Sequence, residues 1–230
     1  MTILGIDSSA VSAGCAIVRD GRVLSEGFVN IGLTHSQTLM PLIDDALRRA
    51  GVTLEEIDRI AVSHGPGSFT GVRIGIATVK GLAFASDIPC AGVSTLAAIA
   101  HGAACADGVL CAVMDARRDQ FYNALFRCED GVVTRLCDDR AISADDLAAE
   151  LDALGERVWL CGDGAQICMD KLGGRCAGVR MVPEAMRWQR GCGVAMAAAE
   201  VQPVSAASLV PVYLRLPQAE RELRARKAAQ

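Results

Sequence analysis

The spacing of apolar positions changes from a strand pattern to a helix pattern within the first fifty residues. Apolar runs at 3–7, 14–18 and 22–30 predict a buried strand and then a β-hairpin, with Asp20-Gly21 as its turn. Over residues 36–50 the apolar positions recur at helical spacing and cover one wide arc, which predicts an amphipathic helix. The chain therefore opens with β-structure and continues with a helix.

A strand, a glycine-rich loop and a second helix follow. An apolar run at 59–64 predicts the strand, residues 65–71 form the loop, and a helix pattern extends from the loop to about residue 86. A further strand at 90–93 leads into a helix that starts at Thr95 and runs towards residue 106. Alternating strands and helices predict a partly parallel sheet covered by helices.

The second half of the chain repeats this order. A strand over 109–114 ends in Asp115, as the first strand ends in Asp7, and a second hairpin turns at 129–131. Further elements are predicted as a helix at 144–154, a strand at 158–161, and helices near 165–171 and 194–200.

The repeated order predicts an α/β protein with a duplicated ribonuclease H-like (actin-like, ASKHA) fold in two lobes. The predicted domains are an N-terminal lobe over 1–107, a C-terminal lobe over 108–214 and a charged tail over 215–230. On periodicity alone, an unrelated α/β domain with two coincident hairpins stays open as the alternative.

Charge and hydropathy narrow the choice of function. The formal net charge is −4 and the pI is about 5.4, which disfavours a surface that binds polyanionic RNA without a partner. Charged residues such as Arg73, Lys80 and Asp107 interrupt the apolar runs, so no membrane-spanning helix is predicted. The first residues have no export signal, which predicts a cytoplasmic protein.

The chain has ten cysteines, and no two have Cys-x-x-Cys spacing. Most lie in apolar runs, where a free cysteine behaves as a small hydrophobic residue. We expect reduced, packed thiols, with adventitious metal binding or disulfide pairing as the alternative.

The glycine-rich loop and the aspartates suggest a ligand site. Exposed amides at the N-terminus of the helix after the loop would hold an anion, or the glycines would only shape the corner between strand and helix. Asp7 and Asp115 end equivalent strands, where an actin-like enzyme holds Mg²⁺, but the sequence shows no further acidic or lysine group beside them. The residues assigned to a vestigial nucleotide or anion loop are Asp7, Gly65, Gly67, Ser68, Gly162, Asp163 and Gly164.

We assign no catalytic residue. Ser68 and His64 lack the Gly-x-Ser-x-Gly elbow of a hydrolase.

The run from His64 to Ala85, HGPGSFTGVRIGIATVKGLAFA, and the run from Ile88 to Leu96, IPCAGVSTL, resemble the signature of the TsaB (YeaZ) family. Supporting matches are LGIDSS at 4–9, THSQTL at 34–39, MDAR at 114–117 and PVYLR at 211–215. The match covers nearly the whole chain, and the motifs occur in the family's order.

The resemblance implies a subunit without catalytic activity that is required for transfer of threonylcarbamoyl to the adenosine next to the tRNA anticodon. Its implied partners are the catalytic paralogue TsaD in a heterodimer, TsaE, and a second copy when the chain is alone, with tRNA contacted only through the complex. No cofactor is implied. The alternatives are a free-standing actin-like ATP-dependent transferase and a metallopeptidase-like protein.

The paralogue binds a metal through His-x-x-x-His in its first long helix, a spacing that places two imidazoles on one face. Here His35 is followed four residues later by Leu39, so we predict no metal site.

The helix over 71–86 is apolar almost all round, so both of its sides must be covered. Internal burial and a subunit interface are equal alternatives on sequence alone, and the resemblance implies an interface built from the first two long helices. The expected interface residues are Leu39, Met40, Ile43, Leu47, Ile74, Thr78 and Gly81.

Overall fold

The computed structural model describes residues 1–32, 34–105, 107–117 and 119–215, so all of the predicted tail except Arg215 lies outside the described residues. The first β-sheet has the order β3-β2-β1-β4-β5. Its strands are β1 (Thr2–Asp7), β2 (Ala13–Arg19), β3 (Arg22–Val29), β4 (Arg59–Gly65) and β5 (Cys90–Ser94). The helices that accompany them are α1 (His35–Ala50), α2 (Phe69–Phe84) and α3 (Thr95–Gly102).

The second sheet repeats the topology of the first. Its order is β11-β10-β6-β7-β8, with β9 paired to β7. The strands are β6 (Gly108–Asp115), β7 (Gln120–Glu129), β8 (Val132–Arg135), β9 (Arg140–Ser143), β10 (Val158–Cys161) and β11 (Val179–Met181). The helices are α4 (Ala144–Ala153), α5 (Ala165–Leu172), α6 (Glu184–Arg187) and α7 (Gly191–Ala197).

The two central strands have matching neighbours. β1 is antiparallel to β2 and parallel to β4, and β6 is antiparallel to β7 and parallel to β10. The predicted duplicated ribonuclease H-like (actin-like) fold is therefore confirmed. Both predicted hairpin turns are present, with positive φ angles at Asp20 (50°) and Gly21 (78°) and again at Asp130 (50°) and Gly131 (77°).

Sheets and helices form alternating layers. The helices α1 and α2 pack against one face of the first sheet, where Leu4, Ile6 and Ile17 are buried. The other face packs on α7 and α3, and α3 also packs on the second sheet through Leu96 and Ile99. The helices α4 and α5 cover the remaining face of the second sheet. None of the helices in the described part of the chain has both the length and the apolarity for crossing a bilayer.

Several predicted boundaries differ from the structure. The last predicted helix starts at Gly191 rather than 194, and residues 198–200 form a 3-10 turn. The strands β9 and β11 were not predicted, because each has only three or four residues. All ten cysteines lie in the described ranges, and none forms a disulfide. Burial raises the pKa of the Cys15 thiol to about 12.

Helix α7 crosses from the second half of the sequence to the first sheet. It packs on β1 and β2 and also on α3, so elements from both predicted domains share one layer. The division of the chain into 1–107 and 108–214 remains a prediction about its folding units.

The contact between α7 and the first sheet has no room for a side chain. A Cβ atom at Gly191 would lie 2.3 Å from the carbonyl carbon of Cys15, and one at Gly5 would lie 2.2 Å from the carbonyl oxygen of Gly191. On the opposite side of α7, a Cβ at Gly193 would lie 2.1 Å from the carbonyl oxygen of Ala98 in α3. Glycine at these positions lets the backbones touch.

We predict that Gly191→Ala destabilises the protein by about 3 kcal/mol or more, because the neighbouring atoms are backbone and cannot rotate away. The matched control is Gly81→Ala in α2, where a Cβ meets nothing within 4 Å. The control should gain about 0.5–1 kcal/mol from helix propensity. Urea denaturation of both variants checks this, and equal stabilities would show that α7 shifts freely.

Candidate functional site

A cleft of about 490 Å³ lies where the central strands of the two sheets end. Asp7 is the last residue of β1 and Asp115 the last residue of β6. The lining comes from the loop after β1 (9–11), the loop and first residues of α2 (66–70), residues 114–117, Tyr122, Asp163, and residues 212–215 near the end of the described chain. The duplicated fold therefore places Asp115 in the lining of the cleft and Asp7 at the end of the strand that leads to it.

Asp7 is fully buried at the base of this region. Its Oδ1 accepts hydrogen bonds from the backbone N of Ser9 and from Ser9 Oγ, both at 3.0 Å. Burial raises the pKa of Asp7, because the charged carboxylate loses its hydration, and the hydrogen bonds from Ser9 offset part of this rise. The nearest groups therefore hold this carboxyl in place through hydrogen bonds.

Asp163 follows β10 and adds a third carboxyl group. Gln189 Nε2 donates a hydrogen bond of 2.7 Å to its Oδ1. Burial, together with the smaller effect of the neighbouring charges of Asp7 and Asp115, raises the pKa of Asp163 to about 6, and the hydrogen bond from Gln189 offsets part of the rise. Asp163 was assigned to the predicted nucleotide or anion loop, and the expectation that no further acidic group lies beside Asp7 and Asp115 was wrong, because the charges of both aspartates act on Asp163.

Within the described residues, no group of three or more His, Cys, Asp and Glu side chains is arranged to hold a metal ion. His35 Nε2 lies 2.7 Å from the carbonyl oxygen of Ala10, and Leu39 is 1% exposed in the core. The residues present do not fit the paralogue's metal site.

The glycines of the predicted anion loop are explained by close contacts within the chain. A Cβ at Gly67 would lie 2.4 Å from the carbonyl oxygen of Ser9, and one at Gly65 would lie 2.1 Å from that of Val212. The backbone N of Ser68 donates to the carbonyl oxygen of Ser9 at 2.7 Å, and Ser68 Oγ accepts from Gly71 N at the start of α2. This geometry favours the corner-shaping alternative.

The second predicted loop, which contains Gly162 and Gly164, also packs closely against other backbone of the chain. A Cβ at Gly162 would lie 2.1 Å from the carbonyl oxygen of Val113, and one at Gly164 would lie 2.8 Å from the carbonyl carbon of Met114. Both glycines thus let the loop pack against β6. Anion or nucleotide binding by either loop stays a prediction.

Residues 204–215, which we call the C-terminal strap, cross α2 and enter the cleft. The ring of Tyr213 stacks on that of Phe69 with centroids 5.0 Å apart. The Arg73 guanidinium lies 3.8 Å from the centroid of the Phe69 ring, and its Nε donates to Tyr213 Oη at 2.8 Å. Stacked rings and cation–π pairs each contribute about 0.5–1.5 kcal/mol at such sites.

The cleft lining carries groups of both charges. Asp115 and Asp163 are acidic, Arg117 and Arg215 are basic, and no lysine is among its lining residues in the described part of the chain. The Arg215 guanidinium donates to the carbonyl oxygens of Ala116 (2.7 Å) and Arg117 (3.4 Å), so it is already engaged within the chain. A triphosphate in the cleft would therefore meet repulsion from the two carboxyl groups as well as attraction to the arginines.

The first two long helices expose an apolar surface, but not with all of the expected residues. Leu39 and Ile43 are each 1% exposed, so they are core residues and cannot touch a partner directly. The first sheet covers only part of the wide apolar arc of α1, and Leu39 and Ile43 lie in the covered part. Of the remaining expected residues, Met40 and Gly81 are exposed, and Leu47, Ile74 and Thr78 are half-buried.

Two surface residues were missed. Phe84 is 88% exposed, and Ala77 is exposed on the same side of α2 as Gly81. Residues 77, 81 and 84 are separated by four and three positions, which places them on one helical face. We define the α1–α2 surface as Met40, Ala77, Gly81 and Phe84 with the half-buried Ile74 and Thr78.

Asp163 predicts a pH effect on stability. Its folded pKa of about 6 is above the unfolded value, so the folded state binds the proton more tightly. This tighter proton binding contributes at most about 3 kcal/mol to the free energy of unfolding. The contribution is complete below about pH 4 and is lost as the pH rises to about 6. Asp163→Asn should therefore gain stability relative to the unchanged protein across this interval. Urea denaturation at four pH values measures it, and a difference that does not vary with pH would contradict the assignment.

Comparison with known proteins gives consistent matches. The family model "TsaD: tRNA N6-adenosine threonylcarbamoyltransferase" matches residues 31–158. The chain is 32% identical over 224 residues to the tRNA threonylcarbamoyladenosine biosynthesis protein TsaB of Bacillus subtilis, covering 96% of each. It is 39% identical over 135 residues to TsaB of Escherichia coli, covering 57% of this chain and 58% of the relative.

Solved structures agree. A Pseudomonas aeruginosa protein described as similar to peptidase YEAZ superposes with a TM-score of 0.80 at 30% identity, covering 93% of this chain and 99% of that one. An activator of 2-hydroxyisocaproyl-CoA dehydratase from Clostridium difficile, at 11% identity and a TM-score of 0.51, covers 89% of this chain and 100% of its own, and shares the fold alone. With nearly full-length similarity and the same duplicated fold, the chain belongs to the TsaB (YeaZ) family, within the broader group that the threonylcarbamoyltransferase model describes.

Proposed function

We propose that the chain is a non-catalytic subunit in tRNA threonylcarbamoyladenosine biosynthesis and that it acts by binding the catalytic transferase of the TsaD type. The observation that carries the proposal is the α1–α2 surface. Phe84 is 88% exposed and Met40 is 46% exposed on it, while Gly81 leaves open space beside the helix. Exposed apolar side chains next to a flat backbone are typical of a helix-packing interface.

The transferase relatives support a paired arrangement. The transferase model matches residues 31–158 of this chain, which include both α1 and α2. A surface that pairs with its own copy is self-complementary, and a homologous protein that keeps the same two helices offers a similar surface. The proposal therefore includes a heterodimer with the transferase and a homodimer when the chain is alone.

The features of the cleft support a non-catalytic role for the chain. Its carboxyl groups are buried or hydrogen-bonded, its lining in the described residues contains no lysine, and the strap lies across it. The alternative is a free-standing actin-like ATP-dependent transferase, and the third carboxyl group, Asp163, is the feature that favours it.

Titration of the purified chain with ATP and Mg²⁺ separates the two functions. The subunit function predicts no saturable binding at micromolar ATP and no turnover. Micromolar affinity that is lost in Asp163→Asn, together with ATP hydrolysis, would establish the alternative.

The remaining assignments follow from the proposed role. Relatives named for tRNA modification act where tRNA is found, so we place the chain in the cytoplasm. With a net charge of −4, contact with tRNA comes through the complex rather than through this chain alone. TsaE is proposed as a further partner on the basis of the family resemblance.

We predict that Gly81→Leu abolishes binding to the transferase while leaving the fold intact. A Cβ at Gly81 meets nothing within 4 Å, so leucine fits the isolated chain and improves helix propensity. In a complex the added side chain would hold the helices apart, and we expect affinity to fall by at least about a hundredfold, or about 2.8 kcal/mol. Isothermal titration calorimetry with the organism's own transferase measures the loss.

The control is Ala153→Leu, which places the same side chain at an exposed position of α4 on the second sheet. It should bind like the unchanged chain. Phe84→Ala removes an exposed ring and should weaken binding with little effect on the melting temperature. If Gly81→Leu binds normally while it remains folded, the interface lies elsewhere.

A further inference from the structure

The strap is fixed to the first sheet at two backbone positions. Val204 and Cys90 of β5 exchange hydrogen bonds, from Cys90 N to Val204 O (2.9 Å) and from Val204 N to Cys90 O (2.7 Å). Val212 N donates to the carbonyl oxygen of His64 in β4 at 2.7 Å. Between these positions Leu209 is buried in the core under α2. The strap is therefore an ordered element beside α2.

Both cations of α2 are engaged by the strap. Arg73 contacts Phe69 and Tyr213 as described above, and Lys80 Nζ donates to the carbonyl oxygen of Ala207 at 3.2 Å. Arg73 precedes Ala77 by one helical turn and Gly81 by two, so its side chain borders the α1–α2 surface. A protein seated on Ala77 and Gly81 would meet this arginine.

The far end of the strap contacts the second sheet's half of the molecule. Arg215 Nη1 donates to the carbonyl oxygen of Ala116 at 2.7 Å, just after β6 ends in Asp115. The strap residues 212–215 line the cleft together with 66–70 on one wall and 114–117 on the other. One continuous segment thus contacts Arg73 at the border of the α1–α2 surface and lines the cleft beside both of its walls.

We propose that the strap is a clasp that couples the α1–α2 surface to the cleft. A partner on that surface competes with the Phe69–Tyr213 ring pair for the Arg73 guanidinium. Once Arg73 is drawn away, Tyr213 loses its hydrogen bond and its cation–π contact with Arg73 and is held only by its stack on Phe69, so the Arg215 contact weakens and the 114–117 wall is released from the strap. The coupling to a partner rests on the proposed function, whereas the mechanical link between Tyr213 and the 114–117 wall does not.

Hydrogen–deuterium exchange of the full chain tests the mechanical link without any partner. Tyr213→Ala should raise exchange on the order of tenfold in peptides covering the strap and also in those covering 112–117. Tyr213→Phe keeps the ring stack but loses the hydrogen bond to Arg73, so its exchange rates should lie between those of Tyr213→Ala and those of the unchanged chain. Val210→Ala truncates an exposed strap residue outside the stack and should match the unchanged chain. Faster exchange in the strap alone, with 112–117 unchanged, would overturn the clasp.

Adding the organism's own transferase tests the coupling. In the unchanged chain, binding should speed exchange in both segments, and in Tyr213→Ala it should cause little further change. Because linkage is reciprocal, Tyr213→Ala should also bind the transferase more tightly than the unchanged chain. Binding that leaves or slows exchange at 112–117 would overturn the coupling. A lack of binding would instead count against the proposed function, and the experiment without partner would still decide the mechanical link.

Discussion

The close approach of α7 to the first sheet and to α3 is the constraint on which the remaining structure depends. Three glycines, Gly5, Gly191 and Gly193, allow backbone atoms to touch where any side chain would overlap them. Because α3 also packs on the second sheet, this contact sets the distance between the two sheets. The separation of the sheets in turn places Asp115 in the lining of the cleft and the buried Asp7 at its base.

Within this frame the two sides of the first sheet have different roles. The inner side joins the halves of the molecule, and the outer side carries α1 and α2, whose outward residues include an exposed phenylalanine and a glycine with open space beside it. The cleft keeps the aspartates of an actin-like protein, but hydrogen bonds hold Asp7 and Asp163 in place, and residues 212–215 form part of its lining. An actin-like fold that carries an exposed apolar surface on its outer helices agrees with the proposed binding role.

The sequence predicted the features that depend on local chemistry. The turn at Asp20-Gly21 and the helix that ends at Ala50, with Gly51 as its C-cap, need only their own residues, and both are present. Features that depend on distant neighbours were not predictable. The role of Gly191 depends on Cys15, and whether Leu39 or Met40 faces outward depends on where β2 lies. The proximity of Asp163 to Asp7 and Asp115 depends on the pairing of strands that are far apart in the sequence. The contact of Tyr213 with Arg73 likewise spans 140 positions.

The central claim is that the α1–α2 surface, and not the cleft, carries the function. Reconstituted threonylcarbamoyl transfer to tRNA with the organism's own transferase tests it most directly, because the two sites are altered in separate variants of one chain. The account predicts that Asp115→Asn combined with Asp163→Asn supports transfer as well as the unchanged chain, while Gly81→Leu supports none. Loss of transfer in the folded aspartate variant, with transfer retained in Gly81→Leu, would contradict it.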